Sequence, residues 1–153
     1  RRRSPGTQQL MTAKVCVLGG TGFIGQEIVA RLGAAGHEGK VLTRNPAQHR
    51  DLKVLPSVRL VRADVHDEAR LEYEFEGCDV VVNLVGILNE TSFGRGSGEQ
   101  FRRVHTELPQ KCVRASRVAG VRRYLHMSGL KADSQRGPSH YLQSKGLAED
   151  YIR

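Results

Sequence analysis

Three features of these 153 residues predict an α/β domain built on an open, doubly wound parallel sheet. Short runs rich in Val, Leu and Ile alternate with helical hydrophobic patterns along most of the chain. The first run stops at a glycine-rich turn that leads straight into a helix. A later run, Val80-Val81-Val82-Asn83-Leu84, is apolar without alternation, as expected of a parallel strand covered on both faces. The implied strand order is 3-2-1-4-5.

Val15, Cys16, Val17 and Leu18 form the first predicted strand. The turn after it reads Gly19-Gly20-Thr21-Gly22-Phe23-Ile24-Gly25, with Gly19, Gly22 and Gly25 three apart. Gly19 permits the tight turn, Gly22 lets backbone approach a ligand, and Gly25 lets the next helix pack close to the sheet. Such a loop presents backbone N–H groups and a positive helix end at one place, which suits the pyrophosphate of a dinucleotide. A glycine triplet by itself also serves any tight strand-to-helix turn. Its position after a strand and before a helix gives it the dinucleotide reading.

Ile24, Ile28, Val29 and Leu32 recur at helical spacing, and Gly33 and Gly36 stop that helix. Lys40, Val41, Leu42 and Thr43 make a second strand, ended by Asn45-Pro46. Arg44 stands at its tip, where an acidic residue would accept hydrogen bonds from an adenosine ribose. A guanidinium there suits a 2′-phosphate instead, favouring NADP(H) over NAD(H). Residues 58–61 form a third strand, followed by Asp64-Val65. Asp64 either accepts from an adenine amino group or caps the helix beginning near Asp67.

After the fourth strand, Leu84, Val85 and Gly86 run past the expected cofactor. The polar, glycine-rich loop over residues 89–98 either overhangs the site or simply connects. Residues 99–119 read as a long helix, kinked or divided by Pro109 and closed by Gly120. Tyr124, Leu125, His126 and Met127 form a fifth strand ending at Ser128-Gly129, and residues 141–153 form a last helix.

That last helix places Tyr141 and Lys145 four apart, hence on one face. An ammonium beside a phenol favours the phenolate. A tyrosine so tuned exchanges a proton with a substrate hydroxyl, and Ser128 can hold the same oxygen in line. A tyrosine–lysine pair at this spacing is common; its place just beyond a strand tipped with serine gives it meaning.

Several classes are disfavoured. The net charge is +8, but the arginines are scattered and few aromatics interleave with them, so no nucleic-acid partner is expected. No run approaches the ~20 apolar residues of a transmembrane helix. Cys16, Cys78 and Cys112 share no metal-ligand spacing, no histidine pair suggests zinc, and a reducing cytoplasm fits. No metal is expected. Residues 1–10, polar and without periodicity, are expected to be a disordered extension or cloning remnant ahead of a natural start at Met11.

The glycine turn, Asp64-Val65, Ser128 and Tyr141-Leu142-Gln143-Ser144-Lys145 resemble the extended or atypical short-chain dehydrogenase/reductase superfamily. Val82-Asn83-Leu84-Val85-Gly86-Ile87-Leu88 and Leu108-Pro109-Gln110 are similar to its branch holding the dinucleotide-binding accessory subunit of respiratory complex I and bacterial relatives. These are of the kind often labelled NAD-dependent epimerase/dehydratase. The resemblance covers residues 11–153. It implies a Rossmann fold, a tightly held NADP(H), and cofactor contacts at Gly19, Thr21, Gly22, Phe23, Ile24, Gly25, Arg44 and Asp64. It also implies Ser128, Tyr141 and Lys145 as the catalytic set, acting on a nucleotide sugar or another hydroxyl-bearing small molecule. A homo-oligomer or association with a respiratory complex is the implied assembly. The pattern departs in two places. His105 stands near the position of a usual asparagine, and Gly129 replaces a frequent second serine. Such proteins run to about twice this length, with a sixth strand and a substrate lobe that this sequence does not contain. The chain is therefore expected to hold a cofactor weakly and to turn nothing over. A module that holds NADP(H) structurally, for assembly or sensing, is the alternative reading.

Overall fold

The computed structural model describes residues 12–89 and 98–153. The expected N-terminal extension and most of the loop over residues 89–98 lie outside the described residues. Five strands, β1 (Lys14–Leu18), β2 (Glu38–Thr43), β3 (Val58–Arg62), β4 (Val80–Asn83) and β5 (Arg123–His126), form one sheet in the order β3-β2-β1-β4-β5. Every pairing is parallel, with Leu18 level with Leu42 on one side and Asn83 on the other. The predicted fold class and strand order are both present.

Alternation along β1 builds two cores. Val15 and Val17 point to one face and pack with Val29, Val41, Leu52 and Val82. Cys16 and Leu18 point to the other and join Leu71, Phe75, Val81, Leu108 and Cys112. Helix α1 (Phe23–Ala34) supplies the first face. Helices α2 (Glu68–Phe75) and α4 (Leu108–Val118) supply the second. Burial on both faces is why the central strands are continuously apolar.

Three details differ from the sequence reading. Helix α1 passes through Gly33 and stops at Ala34, with Gly36 left-handed at φ 80°. Two short 3₁₀ turns, Pro46–Gln48 and Arg50–Val54, fill the connection after β2, and Leu52 anchors them in the core. The long helix does divide near Pro109. A first turn, α3 (Glu99–Arg102), passes into a π turn over Arg103–Glu107 before α4 begins. Proline has no N–H to give the carbonyl four residues back, and the Leu108 N–H reaches instead to Arg103 O, one residue further than an α-helix allows. Helix α5 (His140–Ile152) then packs on the π turn and α4.

Candidate active site and cofactor cleft

The carboxyl ends of β1, β2 and β3 open into a cleft of about 750 Å³. Gly19 sits at its floor with φ 75°, and a Cβ there would stand 2.9 Å from the Leu84 carbonyl carbon and the Val85 nitrogen. Only glycine lets β1 and the exit of β4 come this close. A Cβ at Gly25 would overlap Gly19 O and the Gly20 backbone, so α1 is held tightly against the turn. Gly22 caps α1 without a side-chain hydrogen bond, and the first intrahelical bond is Gln26 N–H to Gly22 O. The N–H groups of the first turn therefore have no intrahelical acceptor, and no acidic residue offsets the positive helix end. Phe23 and Ile24 in this first turn are 97% and 51% exposed.

Of the predicted cofactor residues, Gly19, Thr21, Arg44, Asp64, Val65 and Val85 line the cleft. Gly22, Phe23, Ile24 and Gly25, which do not line it, form the turn that opens α1 next to Gly19 and Thr21, and Leu84 and Gly86 lie in the β4 exit. Arg44 is exposed at the tip of β2 and has no ion-pair partner among the described residues. Asp64 does not cap α2. That cap is Asp67, whose carboxylate accepts the Arg70 N–H at 3.1 Å. Asp64 instead closes a local turn by accepting the His66 N–H at 2.9 Å, two residues being too short a reach to the helix start. Sequence reasoning missed Asn45, Gln48, His49, His66 and Arg103, which also line the cleft. Burial first, then the Arg103, Lys111 and Arg44 cations, hold the His66 pKa below its ordinary value; Asp64 opposes them. This wall is electropositive, as an anionic ligand requires.

Beside the cleft, β4 and β5 end against α5. Asn83, fully buried, accepts the Val85 N–H at 3.0 Å and donates to Tyr124 Oη at 3.1 Å, fixing how the chain leaves β4. Lys145, 3% exposed, donates from Nζ to Met127 O at 2.8 Å, and burial lowers its pKa. Ser128 Oγ is buried with no hydrogen-bond partner among the described residues, as are both ring nitrogens of His126. The Tyr141 ring lies against Gly129: a Cβ there would meet Leu142 Cδ2 at 3.2 Å and the phenol oxygen at 3.8 Å. A Cβ at Gly86 would lie 3.7 Å from Lys145 Nζ, so the β4 exit and the lysine meet. Ser128, Tyr141 and Lys145 are thus gathered at one strand end.

His105 ties this corner together. It is fully buried, and Nε2 accepts the Ile87 N–H at 3.0 Å. Burial, aided by the nearby Lys145 and His126, lowers its pKa to about 4, so the ring is neutral and its proton rests on Nδ1. Nδ1 then donates to Ser144 Oγ at 3.2 Å, and Ser144 Oγ donates to Tyr141 O at 2.7 Å. The ring also meets Tyr141 edge-on at 5.1 Å between centroids. The sequence marked His105 only as a departure from a pattern; nothing in a lone histidine announces its three attachments. Among the described residues no group of three or more His, Cys, Asp or Glu converges as a metal site, and no helix is long and apolar enough to cross a membrane.

A family model described as NAD(P)H-binding matches residues 19–153. The mitochondrial NADH dehydrogenase [ubiquinone] 1 alpha subcomplex subunit 9 of Mus musculus is 30% identical over 141 residues, which are 90% of this chain and 36% of that protein. A ceramide reductase of Caulobacter vibrioides is 30% identical over 142 residues, 91% of this chain and 41% of that one. The present chain therefore spans about two fifths of these relatives. Among solved structures, the Bordetella bronchiseptica enzyme WbmG in complex with NAD superposes with a TM-score of 0.76 at 17% identity, over 95% of this chain and 51% of that one. That likeness is one of fold. Glycine turn, parallel sheet, cleft and family match agree: the chain belongs to the NAD(P)H-binding family and carries a Rossmann-type fold.

Proposed function

We propose that this chain is the NADP(H)-holding part of an oxidoreductase or nucleotide-sugar epimerase/dehydratase in which Tyr141, Lys145 and Ser128 perform acid–base work. The observation that carries the reading is that Ser128, the Tyr141 ring and Lys145 Nζ all meet the end of β5, next to the β4 exit whose Val85 and Ile87 line the cleft. The N–H groups opening α1 bind the pyrophosphate, Arg44 pairs with the 2′-phosphate, and Asp64 and Val65 flank the adenine. A bound nicotinamide supplies the hydride exchange. Ser128 Oγ, buried and without a partner among the described residues, is the hydroxyl that holds a substrate oxygen. Tyr141 exchanges the proton at that oxygen, and Lys145, anchored on Met127 O, favours its phenolate. The ceramide reductase relative supports a reductase in particular.

The test is NADPH-dependent turnover by a version of the protein that carries the substrate lobe. Tyr141→Phe is expected to lower kcat by 10²-fold or more, roughly the worth of a positioned acid–base group, with NADPH affinity unchanged. Undiminished turnover overturns the assignment of Tyr141.

A second reading rests on the likeness to the NADH dehydrogenase subunit. In it the same cleft holds NADP(H) as a structural element of a respiratory assembly. NADPH that binds, does not exchange hydride and raises the melting temperature supports this reading over catalysis.

A further inference from the structure

His105 lies in the π turn, is fully buried and does not line the cofactor cleft, yet it joins a wall of that cleft to the helix that carries Tyr141. Ile87, which does line the cleft, donates its N–H to Nε2 at 3.0 Å. On the other side of the ring, Nδ1 donates to Ser144 Oγ at 3.2 Å, and Ser144 Oγ donates to the Tyr141 carbonyl at 2.7 Å. The three bonds run in one direction. The imidazole and the hydroxyl each spend their one proton, so neither is left to turn to another partner. Thr106, the next residue, adds a parallel tie, its Oγ1 donating to Ser144 O at 2.9 Å.

The rings repeat the arrangement. Phe101 stacks on His105 at 5.6 Å and meets Tyr141 edge-on at 5.9 Å, while His105 meets Tyr141 edge-on at 5.1 Å. Each of the three rings therefore touches the other two. A Cβ built on Gly86 would lie 3.5 Å from His105 Nε2 and 3.7 Å from Lys145 Nζ, which brings imidazole and ammonium to the same point of the β4 exit.

We infer that His105 is a positioning residue for the acid–base site, its ring holding the Tyr141 phenol in register with the cleft wall at Ile87. The inference rests on the reading of Tyr141 as the proton-exchanging group. A peptide N–H can only donate, so Nε2 has to stay bare while Nδ1 carries the proton, and a neutral imidazole meets both demands at once. An apolar ring of similar shape would fill the same space and make neither bond. Register matters because a displacement of about 1 Å at a reacting group costs on the order of 10²-fold in rate.

The test uses the version of the protein that carries the substrate lobe, with Tyr141→Phe as its reference. His105→Phe keeps a flat ring against Phe101 and Tyr141 and deletes both hydrogen bonds. It is expected to lower kcat by about tenfold or more, with substrate KM and NADPH affinity within about threefold. His105→Gln, whose amide oxygen reaches the place of Nε2 and accepts the Ile87 N–H, is expected to recover most of that loss. In the Tyr141→Phe background, His105→Phe is expected to change kcat by less than about twofold, because a residue that acts through the phenol has nothing left to position. A separate reading needs neither turnover nor a variant: ring-nitrogen NMR of the purified chain at neutral pH should show His105 with its proton on Nδ1 and Nε2 bare. Full kcat in His105→Phe, or losses that simply add in the double variant, overturns the role of His105 while Tyr141 keeps its own. A proton found on Nε2 overturns it as well. Undiminished turnover in Tyr141→Phe instead overturns the acid–base reading, and the positioning role falls with it.

Discussion

The two ends of the sheet treat their polar groups in opposite ways. At the amino-terminal end the buried and half-buried carboxylates are paired. Asp79 accepts the Lys14 N–H at 2.9 Å and pairs with Arg122 at 2.7 Å, and these two bonds hold its carboxyl below the usual range. Glu74, almost fully buried, takes both Lys40 and Arg70. At the carboxyl end some groups lack a partner among the described residues: the first N–H groups of α1 have no intrahelical acceptor, Arg44 has no ion pair, and Ser128 Oγ and the His126 ring nitrogens are buried without a hydrogen bond. Among the described residues, buried side chains without a partner at the carboxyl end, Ser128 and His126, stand close to the predicted acid–base groups.

The sharpest way to break this contrast is to unpair the structural end. Glu74→Ala leaves Lys40 without its counter-charge, and breaking a buried pair costs about 3–5 kcal/mol. Urea denaturation should show that loss, while NADPH affinity, corrected for the folded fraction, stays the same. A fall in intrinsic affinity would mean that the ends are not independent.

Gly25→Ala attacks the working end through packing. The new Cβ collides with Gly19 O, and α1 has to move off the turn. A loss of about 3 kcal/mol is expected. Unlike Glu74→Ala, the change also abolishes NADPH binding, which a fluorescence titration reads directly.

Arg44→Ala tests the open groups alone. It is expected to weaken NADPH by about tenfold or more and to leave NADH and thermal stability unchanged. Equal weakening of both nucleotides removes Arg44 as the selector.

A smaller effect appears with acid. His105 and His126 are both held down to about 4, in each case by burial first and then by the Lys145 charge. Between pH 6.5 and about 4 the unfolded chain therefore binds more protons than the folded one. Their stabilising contribution is complete above pH 6.5 and is lost as pH falls toward 4. His126→Phe, which removes one of the two groups, should flatten the dependence of unfolding free energy on pH across that window. An unchanged slope would show that His126 is not neutral in the fold.

The sequence reveals the two kinds of end unequally. β1 and its glycine turn are legible because strand alternation and glycine conformation are local, and a pattern of seven residues states both. Tyr141 and Lys145 are legible because helical spacing alone puts them on one face. Arg103 and His66 are not, because they reach the cleft from elements that only the tertiary fold brings beside β2. Asp64 shows the limit of a local rule. Two aspartates three residues apart compete for one helix cap, and the nearer, Asp67, takes it. The attachments of His105 were hidden for a related reason, since its partners lie 18 and 39 residues away in sequence.

The π turn ahead of Pro109 amounts to one residue more than a regular helix would hold between Arg102 and Leu108. Each residue of an α-helix turns the chain by about 100°. Deleting one residue there would restore even winding, and the core anchors Leu108 and Cys112 would keep their places. Everything upstream would rotate by that angle, carrying Phe101 and His105 away from the Tyr141 ring they now touch. The irregularity works like a gear tooth: it sets the phase between the half of the helix that builds the core and the half that faces the chemistry.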